Sequence, residues 1–187
     1  MLVAVSGSQG SGKTTILDAL KERGYPIVER KTSRSILAEW EVSLEEVNDN
    51  PGLTIQFQDE ISKRKYEDER EFIESDKLCF TERTHSDLFT YALVSLGKDN
   101  KYSKWLNEYY DSSKEYNQLY KGVFYLRAGL FDVVHDGTRG SNEHYSRMVD
   151  LTMLDFTEQM TDTSKLSIID TPDLDWRVNL ITHKYGQ

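Results

Sequence analysis

Gly7-Ser-Gln-Gly-Ser-Gly-Lys-Thr14 is the stretch that decides the fold. It fits the spacing G-x-x-x-x-G-K-[ST], in which glycines let the backbone curl tightly and turn its N–H groups inward toward phosphate oxygens. Before it stands Leu2-Val-Ala-Val5, a short apolar run with β-branched residues closed by Ser6-Gly7, which predicts a buried strand. After it, Lys13 to Arg23 carries apolar residues at Ile16, Leu17, Ala19 and Leu20, with Gly24 as a stop, which predicts a helix. A strand, a curled loop and a helix in that order aim the helix's positive amino end at the same oxygens.

Further along, short apolar runs alternate with helical stretches. Tyr25–Glu29 reads as a second strand, Leu78–Thr81 as a third, Val123–Leu126 as a fourth and Leu166–Ile169 as a fifth. Helices are expected at Thr32–Trp40, Leu53–Ser75, Ser86–Leu96, Tyr102–Tyr120, Glu143–Met160 and Leu174–Ile181, and Asn48-Asp-Asn-Pro-Gly52 reads as a turn cluster. This alternation predicts an α/β chain of three layers, a five-stranded parallel sheet with helices on both faces. Residues 1–187 form one domain in this reading, with a helical lid at about 128–160. Ligands of such sheets bind beyond the carboxyl ends of the strands, so functional residues should follow Val5, Val28, Thr81, Leu126 and Ile169.

Composition narrows the partners. The 23 Lys and Arg against 32 Asp and Glu give a net charge of −9, which argues against a long nucleic acid or an anionic membrane. One cysteine, Cys79, allows neither an internal disulfide nor a cysteine-rich zinc site, and the four histidines show no metal-ligand spacing. No apolar stretch approaches a membrane span, and the first residues lack the basic start of a secretory leader, so a cytoplasmic protein, monomeric or homodimeric, is expected.

The loop implies a nucleoside triphosphate and a metal without naming a reaction. In the P-loop NTPase fold, Lys13 is expected at the β- and γ-phosphates, and Gly7, Ser8, Gln9, Gly10, Ser11, Gly12, Thr14 and Thr15 around ATP, with the Thr14 hydroxyl on Mg²⁺. A GTPase switch would carry Asn-Lys-x-Asp, whereas Asn100-Lys101 continues as Tyr-Ser. A motor ATPase would end an apolar strand in Asp-Glu, whereas Asp170 is followed by Thr171-Pro172. A small kinase remains. At the third strand's end, Glu82 could hold Mg²⁺ through water and Arg83 an acceptor near the γ-phosphate.

Glu82-Arg83-Thr84 with Ser86-Asp87 resembles the Glu-Arg-Ser motif of deoxyribonucleoside kinases, and the spacing from Glu82 to Tyr91 is similar to that of the Asp-Arg motif and its tyrosine in thymidylate kinases. Phe57-Gln58 with Arg64 resembles the base-binding helix of the former family. Val133-Val-His-Asp-Gly-Thr-Arg139 resembles the lid loop of the NadR-like ribosylnicotinamide kinases, as do Glu22-Arg-Gly-Tyr-Pro-Ile-Val-Glu29 and Trp176-Arg177-Val. Two departures leave the acceptor open. Glu29 is followed by Arg30-Lys31 where the deoxynucleoside and thymidylate kinases have Pro, and Glu82 stands where the NadR-like family has Asp.

The resemblance implies an ATP- and Mg²⁺-dependent kinase of a nucleoside, a nucleoside monophosphate or a similar small molecule. Lys13, Glu29, Arg83 and Arg139 would be catalytic, and Glu29, Arg34, Phe57, Gln58, Arg64, Glu82 and Arg83 would meet the acceptor. Arg139, flanked by Gly137 and Gly140, suits a loop that closes over the triphosphate and excludes water, with Arg147 and Arg127 as further cations. A hydroxyl acceptor needs a base such as Glu29, whereas a phosphate acceptor needs the cations Arg30, Lys31 and Arg34. Glu29 could equally bridge to one of those cations, Phe57 and Gln58 could equally pack on the core, and Arg147 could equally face solvent. Two rivals stand: a kinase of a hydroxyl on a polynucleotide, and a nucleotide-binding switch that transfers nothing.

Overall fold

The computed structural model describes residues 1–29, 33–130 and 142–185. Among these residues four parallel strands form the sheet, β1 (Leu2–Ser6), β2 (Cys79–Glu82), β3 (Gly122–Leu126) and β4 (Leu166–Ile169), in the order β2-β1-β3-β4. Their register pairs Val5 with Glu82, Ser6 with Tyr125 and Leu126 with Ile169, which brings four strand ends to one edge of the sheet.

The expected second strand is reduced to a single bridge, Ile27 opposite Phe80. Phe80 N–H donates to the Pro26 carbonyl and Val28 N–H to the Phe80 carbonyl, at 2.9 and 2.8 Å. The segment therefore lies in the right place, beside β2, but makes no ladder. Pro26 has no N–H to give, and the segment lies outside β2 at the edge of the sheet, where no strand of the described residues pairs its far side. The five-stranded reading is corrected to four strands and a bridge.

Side chains alternate across the sheet as a period of two requires. Val3, Val5, Phe80, Phe124, Leu126 and Ile169 pack against Ile16, Leu17 and Leu20 of α1 (Lys13–Glu22) and Val178 and Ile181 of α8 (Leu174–Tyr185). Leu2, Ala4, Cys79, Val123 and Tyr125 face the other way. That side is covered by α4 (Pro51–Ile73), α5 (His85–Leu96) and α7 (Glu143–Met160), with α6 (Ser103–Gln118) packed on α5 and α7. The three-layer α/β reading holds, with helices on both faces.

Two short helices complete the described chain, α2 (Ser33–Trp40) and α3 (Leu44–Asp49). The supposed turn at Asn48–Gly52 is instead a junction of two helices. Ser43 and Glu46 close a capping box on α3, and Asn50 Oδ1 accepts from Gly52 and Leu53 N–H to start α4, with Pro51 in its first turn. Asn, Pro and Gly serve a helix start as well as a turn, so composition alone left the two readings indistinct.

Candidate active site

The loop after β1 takes its curl from its glycines. Gly7, Gly10 and Gly12 have φ of 137°, 79° and 90°, in the left-handed region that other residues rarely adopt. At Gly7 space is also closed, since a Cβ would sit 2.5 Å from the Leu126 carbonyl oxygen on β3. Gly12 precedes α1 without any side-chain cap, so the first N–H groups of that helix face outward unclaimed by a capping side chain. Thr14 and Thr15 are exposed on that first turn.

Lys13 is buried against the loop itself. Its ammonium donates to the Gly7 carbonyl at 2.8 Å and the Ser8 carbonyl at 2.7 Å. An anion entering the loop would compete with those two carbonyls for the same charge. From behind, Arg177 on α8 clamps the loop. It is 1% exposed and donates through Nη1 to the Ser11 carbonyl at 2.9 Å and through Nε to the Thr171 carbonyl at 2.5 Å. Burial lowers the pKa of this guanidinium from its ordinary value, with carbonyl oxygens in place of water around its N–H groups. Sequence reasoning noted Arg177 only within a family likeness. Its role as a clamp depends on a contact 166 residues away in the chain.

The end of β2 lies alongside. Arg83 N–H donates to the Val5 carbonyl at 2.9 Å, so the Glu82-Arg83 pair adjoins the last residues of β1. Arg83 adopts φ 67°, a left-handed conformation unusual for a residue with a side chain. Its guanidinium lies 5.3 Å from the centroid of the Tyr91 ring, and Nη1 is buried with no hydrogen-bond partner among the described residues. Burial opposes its charge, but Tyr91, Asp87 and Glu82 hold its pKa above the ordinary value. Glu82 is half-buried, and its carbonyl accepts from the Lys65 ammonium at 3.2 Å.

Beneath the two strand ends runs a buried hydrogen-bonded chain. Ser6 Oγ donates to Asp87 Oδ1 at 2.5 Å, and Thr84 Oγ1 donates to the same oxygen at 2.8 Å while capping α5. Ser86 Oγ then meets Thr84 Oγ1 at 2.7 Å and Thr157 Oγ1 of α7 at 3.0 Å. The position of α7 is thereby tied to the strand that carries the loop.

The remaining residues singled out in the sequence spread more widely. Glu29 and Arg34 are exposed, flanking residues 30–32, which with Arg30 and Lys31 lie outside the described residues. Phe57 is 3% exposed and packs among Ile36, Val47, Trp40 and Ile61, its ring edge-on to Trp40 at 6.0 Å. Gln58 is buried, and its carbonyl accepts from the Tyr109 hydroxyl at 3.1 Å. Arg64 is engaged by two carboxylates, Glu39 at 2.7 Å and Glu60 at 2.5 Å, and its pKa is raised by these bonds. Its donors thus brace α2 against α4. Arg139, with the loop Asp136–Arg139, lies outside the described residues, whereas Arg147 is exposed on α7 and Arg127 pairs with Asp150 at 3.4 Å. No cluster of three or more His, Cys, Asp or Glu that could hold a metal is present among the described residues.

The model of a family described as an AAA domain matches residues 2–176, nearly the whole chain. The chain belongs to that AAA domain family. Among solved structures, this member of the family is similar to a deoxyadenosine kinase from M. mycoides with bound dATP, at 17% identity over 100% of both chains and a TM-score of 0.70. It is also similar to a NadR protein in complex with NR, at 16% identity and a TM-score of 0.69, covering 100% of this chain and 52% of that one. Another NadR structure, with NAD and AMP-PNP, gives 14% identity and a TM-score of 0.64, over 100% of this chain and 49% of that one. At these identities the likeness is one of fold. No curated protein matches the sequence. No helix of the described residues is long and apolar enough to cross a membrane.

Proposed function

We propose that this AAA domain protein transfers the γ-phosphoryl group of ATP to a nucleoside, a nucleoside monophosphate or a nucleoside-like small molecule. One observation carries the reading. The Glu82-Arg83 pair at the end of β2 is joined by a backbone hydrogen bond to Val5, two residues before the glycine loop that carries Lys13, and this adjacency supports a donor site and an acceptor-holding cation side by side. The fold shared with a dATP-bound deoxyadenosine kinase and an NR-bound NadR supports a nucleoside-like acceptor.

Phosphoryl transfer asks mainly for positioning and charge neutralisation. The N–H groups of Gly10, Gly12 and the first turn of α1 would bind the β- and γ-phosphate oxygens. Lys13 would leave the Gly7 and Ser8 carbonyls for the triphosphate, and Arg83 would hold the acceptor. Thr14 and Glu82 would hold Mg²⁺, because one offers an exposed hydroxyl at an uncapped helix start and the other a half-buried carboxylate on the strand paired with β1. When bound, Mg²⁺ supplies neutralising charge between the phosphates. Glu29 at the sheet edge would take the proton from a hydroxyl acceptor, and Arg139 would close over the donor.

The test is incubation with ATP, Mg²⁺ and a panel of nucleosides, nucleoside monophosphates, nicotinamide riboside and an oligonucleotide, with products read by mass. A phosphorylated nucleoside or monophosphate is expected. Product on the oligonucleotide alone would favour a polynucleotide kinase, and nucleotide binding with no product a switch.

A further inference from the structure

Asp150, on α7, was not anticipated from the sequence, and it stands directly behind the phosphate loop. It is 3% exposed. Its Oδ1 accepts from Ser8 Oγ at 3.1 Å, from the Tyr125 hydroxyl at 2.9 Å and from Ala128 N–H at 3.3 Å. Its Oδ2 faces Arg127 Nε at 3.4 Å. Tyr125 also donates to the Asp150 carbonyl at 2.8 Å, and burial followed by the Asp150 charge raises the pKa of that phenol, which keeps it a donor. One carboxylate thus gathers the second residue of the loop, the end of β3 and a cation that follows it.

A buried carboxylate is costly to desolvate and is kept where its bonds are needed. Here two of the groups it holds bear on the loop. Ser8 supplies one of the two carbonyls on which the Lys13 ammonium rests, so fixing Ser8 fixes the seat of Lys13. Arg127 follows β3, whose Leu126 carbonyl lies against Gly7. The carboxylate cannot drift, because Thr157, two turns further along α7, is tied through Ser86, Thr84 and Asp87 to Ser6. Helix α7 is anchored at one point beneath β1 and reaches the loop at another.

We propose that Asp150 is a positioning residue for phosphoryl transfer, setting the seat of Lys13 through Ser8 and the direction of the Arg127 guanidinium through its ion pair. This rests on the kinase reading above. Asp150 is buried behind the loop and acts through Ser8 and Arg127 in this reading. It prearranges two cations, so its loss should act on the chemical step more than on nucleotide binding, which the loop's own N–H groups supply.

The test uses the full chain with ATP, Mg²⁺ and the best acceptor of the panel. Asp150→Asn retains an acceptor for Ser8 and Tyr125 but removes the charge facing Arg127. It should lower kcat about 10- to 100-fold, as small misplacements of catalytic groups do, with ATP affinity by fluorescence titration unchanged within about threefold. Arg127→Met should lower kcat similarly, and the double variant should be no worse than the poorer single one. If Asp150→Asn does not fold, Ser8→Ala and Arg127→Met carry the test, each expected to lower kcat by a larger factor than it weakens ATP binding. Parental kcat in a folded Asp150→Asn, strictly multiplicative losses in the double variant, or parental kcat in both Ser8→Ala and Arg127→Met would overturn the proposal. A parent protein that binds ATP and transfers nothing would instead overturn the kinase reading, and this one with it.

Discussion

The glycine loop after β1 and the flank proposed to meet the acceptor, Glu29 with residues 33–64, are built in opposite ways. In the loop, the residues that would meet the donor are consecutive, and three glycines with positive φ fix their directions within one turn of backbone. On the flank, Glu29 and Arg34 are exposed, Phe57 is packed in a small core and Arg64 is held by Glu39 and Glu60. A site made by local backbone geometry can be read from spacing. A site assembled from separate helices depends on which face each helix turns inward, and on which charges find each other first.

The largest expected effect falls in the loop. Lys13→Ala should lower phosphoryl transfer by at least about 10³-fold while the circular dichroism spectrum and melting temperature stay near those of the parent. Full residual activity would remove the loop from the mechanism. Next comes the flank residue whose chemistry is most specific. Glu29→Gln should slow transfer to a hydroxyl acceptor about 10²-fold and leave transfer to a phosphate acceptor unchanged, because only the first needs a base. Equal rates for mutant and parent on the hydroxyl acceptor would take Glu29 out of the chemistry.

Phe57 and Arg64 sharpen the contrast from the stability side. Phe57→Ala should cost about 3–5 kcal/mol in denaturant unfolding, as truncation of a buried aromatic does. Arg64→Met should cost about 1 kcal/mol or less, since its carboxylate partners are partly exposed and solvated. If Arg64→Met instead raised the KM for the acceptor severalfold at unchanged stability, the flank would be a binding surface in spite of its ion pairs. The smallest effect concerns Cys79. Burial pushes its thiol from an ordinary value of 9.0 to about 11. The folded protein then holds a proton that the unfolded chain releases, so stability should fall as pH climbs from about 9 toward 11. Cys79→Ser should flatten that part of the pH profile, and an unchanged slope would assign it to other groups.

Much of the fold was legible because its signals are short-range. Leu2–Val5 is apolar and β-branched, Gly24 stops a helix, and the helix expected from Glu143 to about Met160 is α7. The missing ladder at Tyr25–Glu29 was harder, since apolar character predicts an extended chain but not whether a neighbour will pair with it. Asp150 carries no local signal, and Arg177 only the family likeness of Trp176-Arg177-Val. Each is one charged residue in an ordinary helix, and each matters because tertiary packing sets it against the loop.

By itself the sequence determined the phosphate loop, the parallel α/β layering and the Glu82-Arg83 pair at a strand end. These follow from backbone preferences and periodicities that act over a few residues. Only the tertiary structure decided that Lys13 rests on the Gly7 and Ser8 carbonyls, that Arg64 is braced between two carboxylates, and that Asp150 stands behind Ser8. Arg64 with Glu39 and Asp150 with Ser8 join residues 25 and 142 positions apart, which no local window contains, while the Lys13 contacts lie within six residues and are set by how the loop curls around a buried charge.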